Sequence, residues 1–144
     1  SEKNLVQLIE EQELKGNYLL ILDANIQDIN YISDNLHIFL GVELNQLFSD
    51  PLHYLFNVQP MVRNHLKEKV KNDLKNGHYY SLETYNVVSK DGQNSIQEFR
   101  FPIKNEYGNV VRIGILLEEE KSRANADLSA KIYPEKEKRV YSYA

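Results

Sequence analysis

Cysteine is absent from this chain of 144 residues. Its absence excludes disulfide bonds, thiolate metal sites, cysteine nucleophiles and cofactors attached through a cysteine sulfur. Long apolar runs are missing too, since no stretch approaches the roughly 20 residues that a membrane-spanning helix needs. The start of the sequence carries no signal peptide pattern. We therefore expect a segment without membrane contact that is located in the cytoplasm.

Basic residues are fewer than acidic ones. The chain has 17 Lys and Arg against 21 Asp and Glu, which gives a formal net charge of -4. Because a nucleic-acid-binding surface normally needs a basic face, we expect no nucleic-acid partner. The densest basic run, Lys67 to Lys75, alternates with acidic residues and indicates a solvated helix face. With 42% apolar and 26% charged residues, the composition is that of one ordinary globular domain.

The first 15 residues carry apolar side chains at nearly helical spacing, and Gly16 then stops the helix. An apolar stripe this narrow cannot form a core without packing against another element. We therefore interpret residues 1–16 as an amphipathic helix that either caps a sheet or pairs with a second copy of itself. Its apolar positions are Leu5, Leu8, Ile9 and Leu14.

Two short strands and a helical middle follow. Tyr18 to Leu22 is apolar throughout, which is typical of a strand covered on both faces, and Ile29 to Ser33 alternates as a second strand. Capping residues, glycines and an Asp-Pro pair then predict three helices, of which the last is the clearest because apolar residues recur at four-residue steps from Val62 to Leu74. The first predicted segment, Asp34 to Phe48, stops at Gly41 and continues as a separate turn or two from Glu43. The other two are Pro51 to Phe56 and Gln59 to Asn76.

The last third of the chain is strand-like. Tyr79 to Ser89, Ser95 to Ile103 and Val110 to Leu117 are rich in β-branched and aromatic residues or alternate in polarity. They are joined by the turns KDGQ (Lys90 to Gln93) and NEYGN (Asn105 to Asn109). Strands joined by short turns pair antiparallel, so these three should form a meander.

Two stretches carry the features of one family. In YLLILDANIQDINYISDNLHIFLGV (Tyr18 to Val42), a strand ends in Asp and a Ser/Asn-rich step opens a helix that closes on Leu-Gly. In VVSKDGQNSIQEFRFPIKNEYGNVVRIGILLEEE (Val87 to Glu120), a Lys-Asp-Gly hairpin and a Gly turn precede the last strand. Together they resemble the PAS domain, or sensory box, of bacterial signal-transduction proteins. The resemblance implies an α+β fold, with a five-stranded antiparallel sheet in the order 2-1-5-4-3 and helices on one face.

The same resemblance implies the domain organisation. It covers residues 17–120, which we interpret as a PAS-like sensor domain preceded by the amphipathic helix at 1–16. From residue 121 the apolar face disappears, and Pro134 with the charged run Glu135 to Arg139 indicates a C-terminal linker or tail at 121–144.

A non-catalytic sensory module is the function that the resemblance implies. Such a module binds a small ligand or a partner and relays a conformational change to a neighbouring output domain, as in two-component systems. PAS sensors commonly end in an Asp-Ile-Thr step, whereas this chain has Glu119 and Glu120 near that place. A flavin–cysteinyl adduct is excluded because the chain has no cysteine. No kinase, nucleotide-binding or cyclase signature is present, so we expect no enzyme activity of this segment.

Histidines offer few cofactor or metal sites. His65 lies on the long predicted helix, from which haem-binding PAS sensors supply their axial ligand, and a neutral imidazole can bind haem iron. It is one place off the register counted back from Gly77 and has polar neighbours, so we expect no haem and a colourless protein. We expect no metal site either, because the other histidines lack metal-type spacing. These are His37, His53 and His78.

A small α+β enzyme is a weaker alternative. Glu83, Asp91 and Glu98 could supply paired carboxylates for acid–base catalysis. Asp91 belongs to a tight turn that favours its local hydrogen bonds, and Glu83 and Glu98 can as easily face water on a sheet. Only a buried carboxylate with a raised pKa in a cavity would support this alternative.

The chain has ten tyrosines, whose rings with polar tips suit either a small-molecule cavity or packing between copies. Strand alternation and the helical stripe select candidates for a ligand pocket between the sheet and the helices. They are Phe56, Met61, Leu66, Tyr85, Val87, Phe99, Ile113 and Ile115.

Self-association is the other function class. A filled core beneath an apolar outer sheet face would indicate a dimerisation module without a ligand. We expect a homodimer, because a helix of about 15 residues is marginal without packing. It would form through the exposed sheet face and the first helix, with Leu5, Leu8, Ile9 and Leu14 in contact.

Overall fold

The computed structural model describes residues 2–89 and 92–120 of the chain. Their elements are helix α1 (Glu2–Lys15), strands β1 (Tyr18–Asp23) and β2 (Ile29–Ile32), helices α2 (Leu36–Leu40) and α3 (Leu44–Ser49), a 3₁₀ helix (Pro51–Leu55), helix α4 (Pro60–Lys75), and strands β3 (Ser81–Ser89), β4 (Gly92–Lys104) and β5 (Val110–Glu120). The predicted turn at Lys90 and Asp91 and the predicted tail at 121–144 lie outside the described residues. No helix in the described ranges is long and apolar enough to cross a membrane.

The five strands form one antiparallel sheet in the order β2-β1-β5-β4-β3. This confirms the predicted α+β fold and the predicted strand order. Strands β3, β4 and β5 form the expected meander, and β5 also pairs with β1 along its other edge. The turn between β4 and β5 is closed by Asn105, whose side-chain oxygen accepts hydrogen bonds from the backbone N–H groups of Tyr107 (2.9 Å) and Asn109 (3.0 Å).

The helical segment predicted over Asp34 to Phe48 consists of two helices, α2 and α3, with the break at the predicted stop, Gly41. Gly41 adopts a left-handed conformation with φ of 69°, which ends α2. The Asn57 side-chain amide then donates to the carbonyl oxygens of Leu40 and Gly41, both at 2.9 Å, and satisfies the end of the helix. The predicted helix at Pro51 is a 3₁₀ helix, capped by Asp50.

The main core lies between the sheet and helices α2 to α4. On the inner face of the sheet, Leu20, Leu22 and Ile115 point toward the helices, and Leu36 and Leu66 meet them from the other side. All these side chains are buried. This face therefore packs as a continuous apolar layer over β1 and β5.

Helix α1 lies on the other face of the sheet, against β1. Leu19 and Ile21 are buried there but do not belong to the main core cluster. Tyr31, the register partner of Ile21, donates its hydroxyl to Glu13 of α1 at 2.9 Å. Of the two roles predicted for this helix, the structure therefore shows the first, a cap on its own sheet, and explains why β1 is apolar on both faces. Pairing with a second copy stays a prediction.

Candidate functional site

Five of the eight predicted pocket residues lie together in the main core. They are Leu66, Tyr85, Val87, Ile113 and Ile115, all buried between the sheet and the helices. Whether they enclose a ligand stays a prediction.

Phe99 lies on the opposite face of the sheet, so its predicted placement in the interior is wrong. Strand β4 turns Ile96, Glu98 and Arg100 inward, and period-two alternation therefore turns Phe99 outward. There its register partner on β3 is the exposed Leu82, and its ring stacks on Phe101 with 5.5 Å between the ring centroids.

Phe56 and Met61 are also outside the interior, contrary to the prediction. Met61 is 80% exposed at the start of α4, because it lies five positions before the buried Leu66 and each position turns the helix by about 100°. Phe56, just after the 3₁₀ helix, stacks on the His53 ring with centroids 4.7 Å apart. The Arg63 guanidinium lies 5.8 Å from the centroid of the Phe56 ring.

A buried carboxylate occupies the centre of the inner face. Glu98 is 2% exposed, and its Oε1 accepts hydrogen bonds from the hydroxyls of Tyr54 (2.7 Å) and Tyr85 (2.8 Å). Burial raises the pKa of Glu98, partly offset by the two hydroxyl donors. Burial also raises the pKa of both tyrosines, and the nearby Glu98 charge raises it further. The expectation that Glu98 could face water is thus wrong.

Beside it, a charged network joins α4 to the sheet. Arg100 donates from Nη2 to Asp73 Oδ2 at 2.6 Å, and Lys69 binds the same oxygen at 2.7 Å. Lys69 also reaches Glu83 Oε1 at 3.3 Å and the hydroxyl of Ser81 at 3.1 Å. The hydrogen bond from Lys69, more than that from Arg100, lowers the pKa of Asp73. The buried Nε of Arg100 has no hydrogen-bond partner among the described residues.

This arrangement holds charge in place but does not favour acid–base catalysis. The enzyme alternative asked for a buried carboxylate with a raised pKa in a cavity. Glu98 meets the first two conditions, yet one of its oxygens already binds two tyrosines and its side chain is covered. Its position follows from the alternation of β4, which turns Ile96, Glu98 and Arg100 to the same face.

His65 is exposed on α4 and does not belong to the buried core cluster. Within residues 2–89 and 92–120, no three His, Asp or Glu side chains lie close enough together to hold a metal ion.

The outer face of the sheet carries an exposed apolar patch, here called the outer band. It consists of Tyr80, Leu82, Phe99 and Phe101. Tyr80 is 68% and Leu82 62% exposed, and the Tyr80 and Phe99 rings are 6.3 Å apart. Phe101 lies over Gly114 of β5, where a Cβ atom would overlap its ring. Glycine at this position therefore lets the aromatic row lie flat on the sheet.

PAS domains are among the solved structures that this chain resembles. The PAS domain of the fruit-fly ELK potassium channel has 18% sequence identity and a TM-score of 0.61 over 82% of this chain and 98% of its own. The PAS domain of Bordetella pertussis BvgS has 16% identity and a TM-score of 0.60, covering 92% of this chain and 98% of its own. The N-terminal domain of a Marinobacter aquaeolei diguanylate cyclase with PAS/PAC sensor has 12% identity and a TM-score of 0.57, covering 72% and 94%.

No protein-family profile matches the sequence, and no curated protein matches it either. The similarity therefore resides in the backbone: the strand order 2-1-5-4-3, the α2 to α4 layer on the inner face, and the long β3–β5 meander. The chain is accordingly a domain of the PAS fold, as its two sequence stretches predicted.

Proposed function

We propose that this chain is a non-catalytic regulatory module that pairs with a second copy of itself through the outer band and helix α1. Through this contact it would pass a conformational change to a neighbouring output domain. The exposed outer band is the observation that carries the proposal. A cytoplasmic location stays a prediction.

Contiguous apolar side chains on a free surface support a contact surface. Tyr80 and Leu82 are among the exposed large apolar residues, and aromatic residues are enriched where proteins associate. Three of the four predicted contacts on α1 are half-buried, namely Leu5, Leu8 and Ile9, whereas Leu14 is exposed. Leu14 is therefore the α1 residue best placed to reach a second copy.

The buried interior also favours this class over a ligand sensor. Tyr54 and Tyr85 are buried between the helices and the sheet, and their hydroxyls are already bound to Glu98. These two polar tips are therefore engaged within the chain, which supports a dimerisation module.

One observation favours the ligand sensor as a second candidate. Polar groups converge on the inner face, and the buried Arg100 Nε lacks a partner within the described part of the chain. A small ligand with a hydrogen-bond acceptor could satisfy this donor, because buried polar groups are normally paired.

Sedimentation velocity with point variants tests the proposal. We expect the wild type to sediment as a dimer and Leu82→Asp to shift it to a monomer, because a buried unpaired carboxylate is costly at an interface. Leu14→Glu should weaken the dimer in the same direction. Met61→Asp is the matched control, since Met61 is equally apolar and exposed but lies on the helical side.

A monomeric wild type, or a dimer that resists both Leu82→Asp and Leu14→Glu, would contradict self-association through this face. Native mass spectrometry of freshly purified protein separates the two candidates. A dimer of bare chain mass favours the dimerisation module, and additional small-molecule mass favours the ligand sensor.

A further inference from the structure

An open groove lies on the helical side of the domain, away from the outer band. Its volume is about 490 Å³. One wall is the turn between β1 and β2, and the other is the second half of α4. The lining residues are Ala24, Asn25, Ile26, Asp50, Leu52, Lys67, Lys71, Leu74 and Lys75.

The charge of this groove opposes that of the whole chain. Lys67, Lys71 and Lys75 follow at four-residue steps along α4, so their ammonium groups share one side of the helix. Among the described residues, ion pairs are made by Lys69 and Arg100, and these three lysines make none. The groove therefore carries three positive charges in a chain whose net charge is -4.

The one acidic residue of the lining is already engaged. The Asp50 carboxylate accepts a hydrogen bond from the backbone N–H of Leu52 at 3.2 Å, as the cap of the 3₁₀ helix. The carboxylate keeps its negative charge but forms no ion pair with a groove lysine within the described ranges, so the lining keeps an excess of positive charge. The predicted solvated face holds for the exposed Lys71 and Lys75, whereas Lys69 is paired with Asp73 and Glu83.

The opposite wall is rigid and strained. The Asp23 carboxylate accepts hydrogen bonds from the backbone N–H groups of Gln27 and Asp28, both at 2.7 Å, and fixes the turn. Within this turn Ile26 has a φ of 57°. A β-branched residue in the left-handed region is an outlier, and such strain is concentrated at functional sites.

We propose that this groove binds a small organic carboxylate with an apolar body. The side chains of Ile26, Leu52 and Leu74 would contact the apolar body, and the lysines would bind the carboxylate by charge-assisted hydrogen bonds. The volume of about 490 Å³ is within the range of small-molecule sites. The groove is separate from the interior and from the outer band. The ligand proposal and the proposed function can therefore be tested independently.

Titration of the isotope-labelled full chain with 2-naphthoate, followed by NMR, tests this site. We expect saturable shifts at Ile26 and Leu74, and about tenfold weaker binding of the neutral 2-naphthylmethanol because it lacks the charge. Lys71→Gln combined with Lys75→Gln should weaken 2-naphthoate binding by about tenfold. Lysine-to-arginine replacement at both positions should retain it.

Lys104→Gln is the control, because it removes the same charge from an exposed lysine outside the groove. The side chains of Lys71, Lys75 and Lys104 are exposed. Circular dichroism of each variant checks that the fold is unchanged. Equal binding by the double glutamine variant, or shifts centred on Tyr54 and Tyr85 instead, would overturn the proposal.

Two further probes distinguish other sources of negative charge. Inorganic phosphate that displaces 2-naphthoate with equal affinity would show that the apolar body contributes nothing, and would overturn the proposed ligand class. Lysine-dependent sedimentation with anionic phosphatidylglycerol vesicles, without any 2-naphthoate binding, would assign the groove to a membrane surface and also overturn it.

Discussion

Arg100 of β4 donates a hydrogen bond to Asp73 of α4, with 2.6 Å between the nitrogen and the oxygen. The Arg100 side chain is 1% exposed and that of Asp73 is 20% exposed. The pair is therefore asymmetric, with the cation buried and the anion at the edge of the core. It joins the long helix to β4, the strand next to the edge strand β3.

This asymmetry predicts unequal effects of removing the two partners. Asp73→Ala leaves the buried guanidinium without its anion and should cost about 3 to 5 kcal/mol of unfolding free energy. Arg100→Met should cost less, because Asp73 keeps Lys69 as a partner and retains contact with water. Urea unfolding of both variants measures the difference. Equal losses would show that burial of Arg100 does not determine the energetics of the pair.

A second prediction concerns the pH dependence that Glu98 confers. Burial raises its pKa in the folded state above the ordinary value of 4.5. Between 4.5 and the raised pKa, the folded state binds more protons than the unfolded state, so the contribution of Glu98 to stability decreases as pH rises. The stability of the wild type relative to Glu98→Gln should therefore be greater at about pH 5 than at about pH 7, measured by urea unfolding.

Asp73→Asn is a control, because the contribution of Asp73 to stability changes with pH in the opposite direction. The hydrogen bond from Lys69 lowers the pKa of Asp73 below 3.8, so its stabilisation is complete at neutral pH and is lost only as pH falls through the lowered pKa. The advantage of the wild type over Asp73→Asn should shrink in acid. A relative stability of Glu98→Gln that is unchanged between the two pH values would contradict the raised pKa.

The fold could be predicted from the sequence because its signals are local. The doubly apolar run from Tyr18 to Leu22 predicted a strand covered on both faces, and α1 and the core do cover β1. Gly77 marked the end of the long helix within two residues of Lys75. The strand order came from the resemblance to PAS domains and is confirmed.

The interior residues could be predicted only in part, because the face of β4 depends on tertiary partners. Hydrophobicity alone favours Phe99 inside and Arg100 outside, and the reverse is found. The charge of Arg100 is tolerated inside because it is paired with Asp73 of α4, which lies 27 positions earlier in the sequence. No local pattern predicts this pairing. A register that is known only to within one residue leaves the two faces interchangeable.

The third prediction tests the assignment of the buried face of α4. Leu66 is buried, and Leu66→Ala should cost about 2 to 5 kcal/mol of unfolding free energy. Met61→Ala, on the same helix but 80% exposed, should change it by less than about 0.5 kcal/mol. Lys69→Ala is not a neutral control, since Lys69 binds Asp73 and Ser81. Similar losses at Leu66 and Met61 would contradict the assigned face.

The last prediction is that replacing Gly114 by alanine destabilises the domain, which is the opposite of the usual effect. Alanine normally stabilises a strand relative to glycine, by about 0.4 to 1 kcal/mol, where the backbone allows it. Gly114→Ala should instead destabilise the domain by about 1 to 3 kcal/mol, because the new Cβ overlaps the Phe101 ring. In a Phe101→Ala background the overlap is gone, and the same substitution should become neutral or stabilising. A double-mutant cycle by thermal unfolding measures this change of sign. A Gly114→Ala penalty that persists without the Phe101 ring would mean that the ring does not require the glycine.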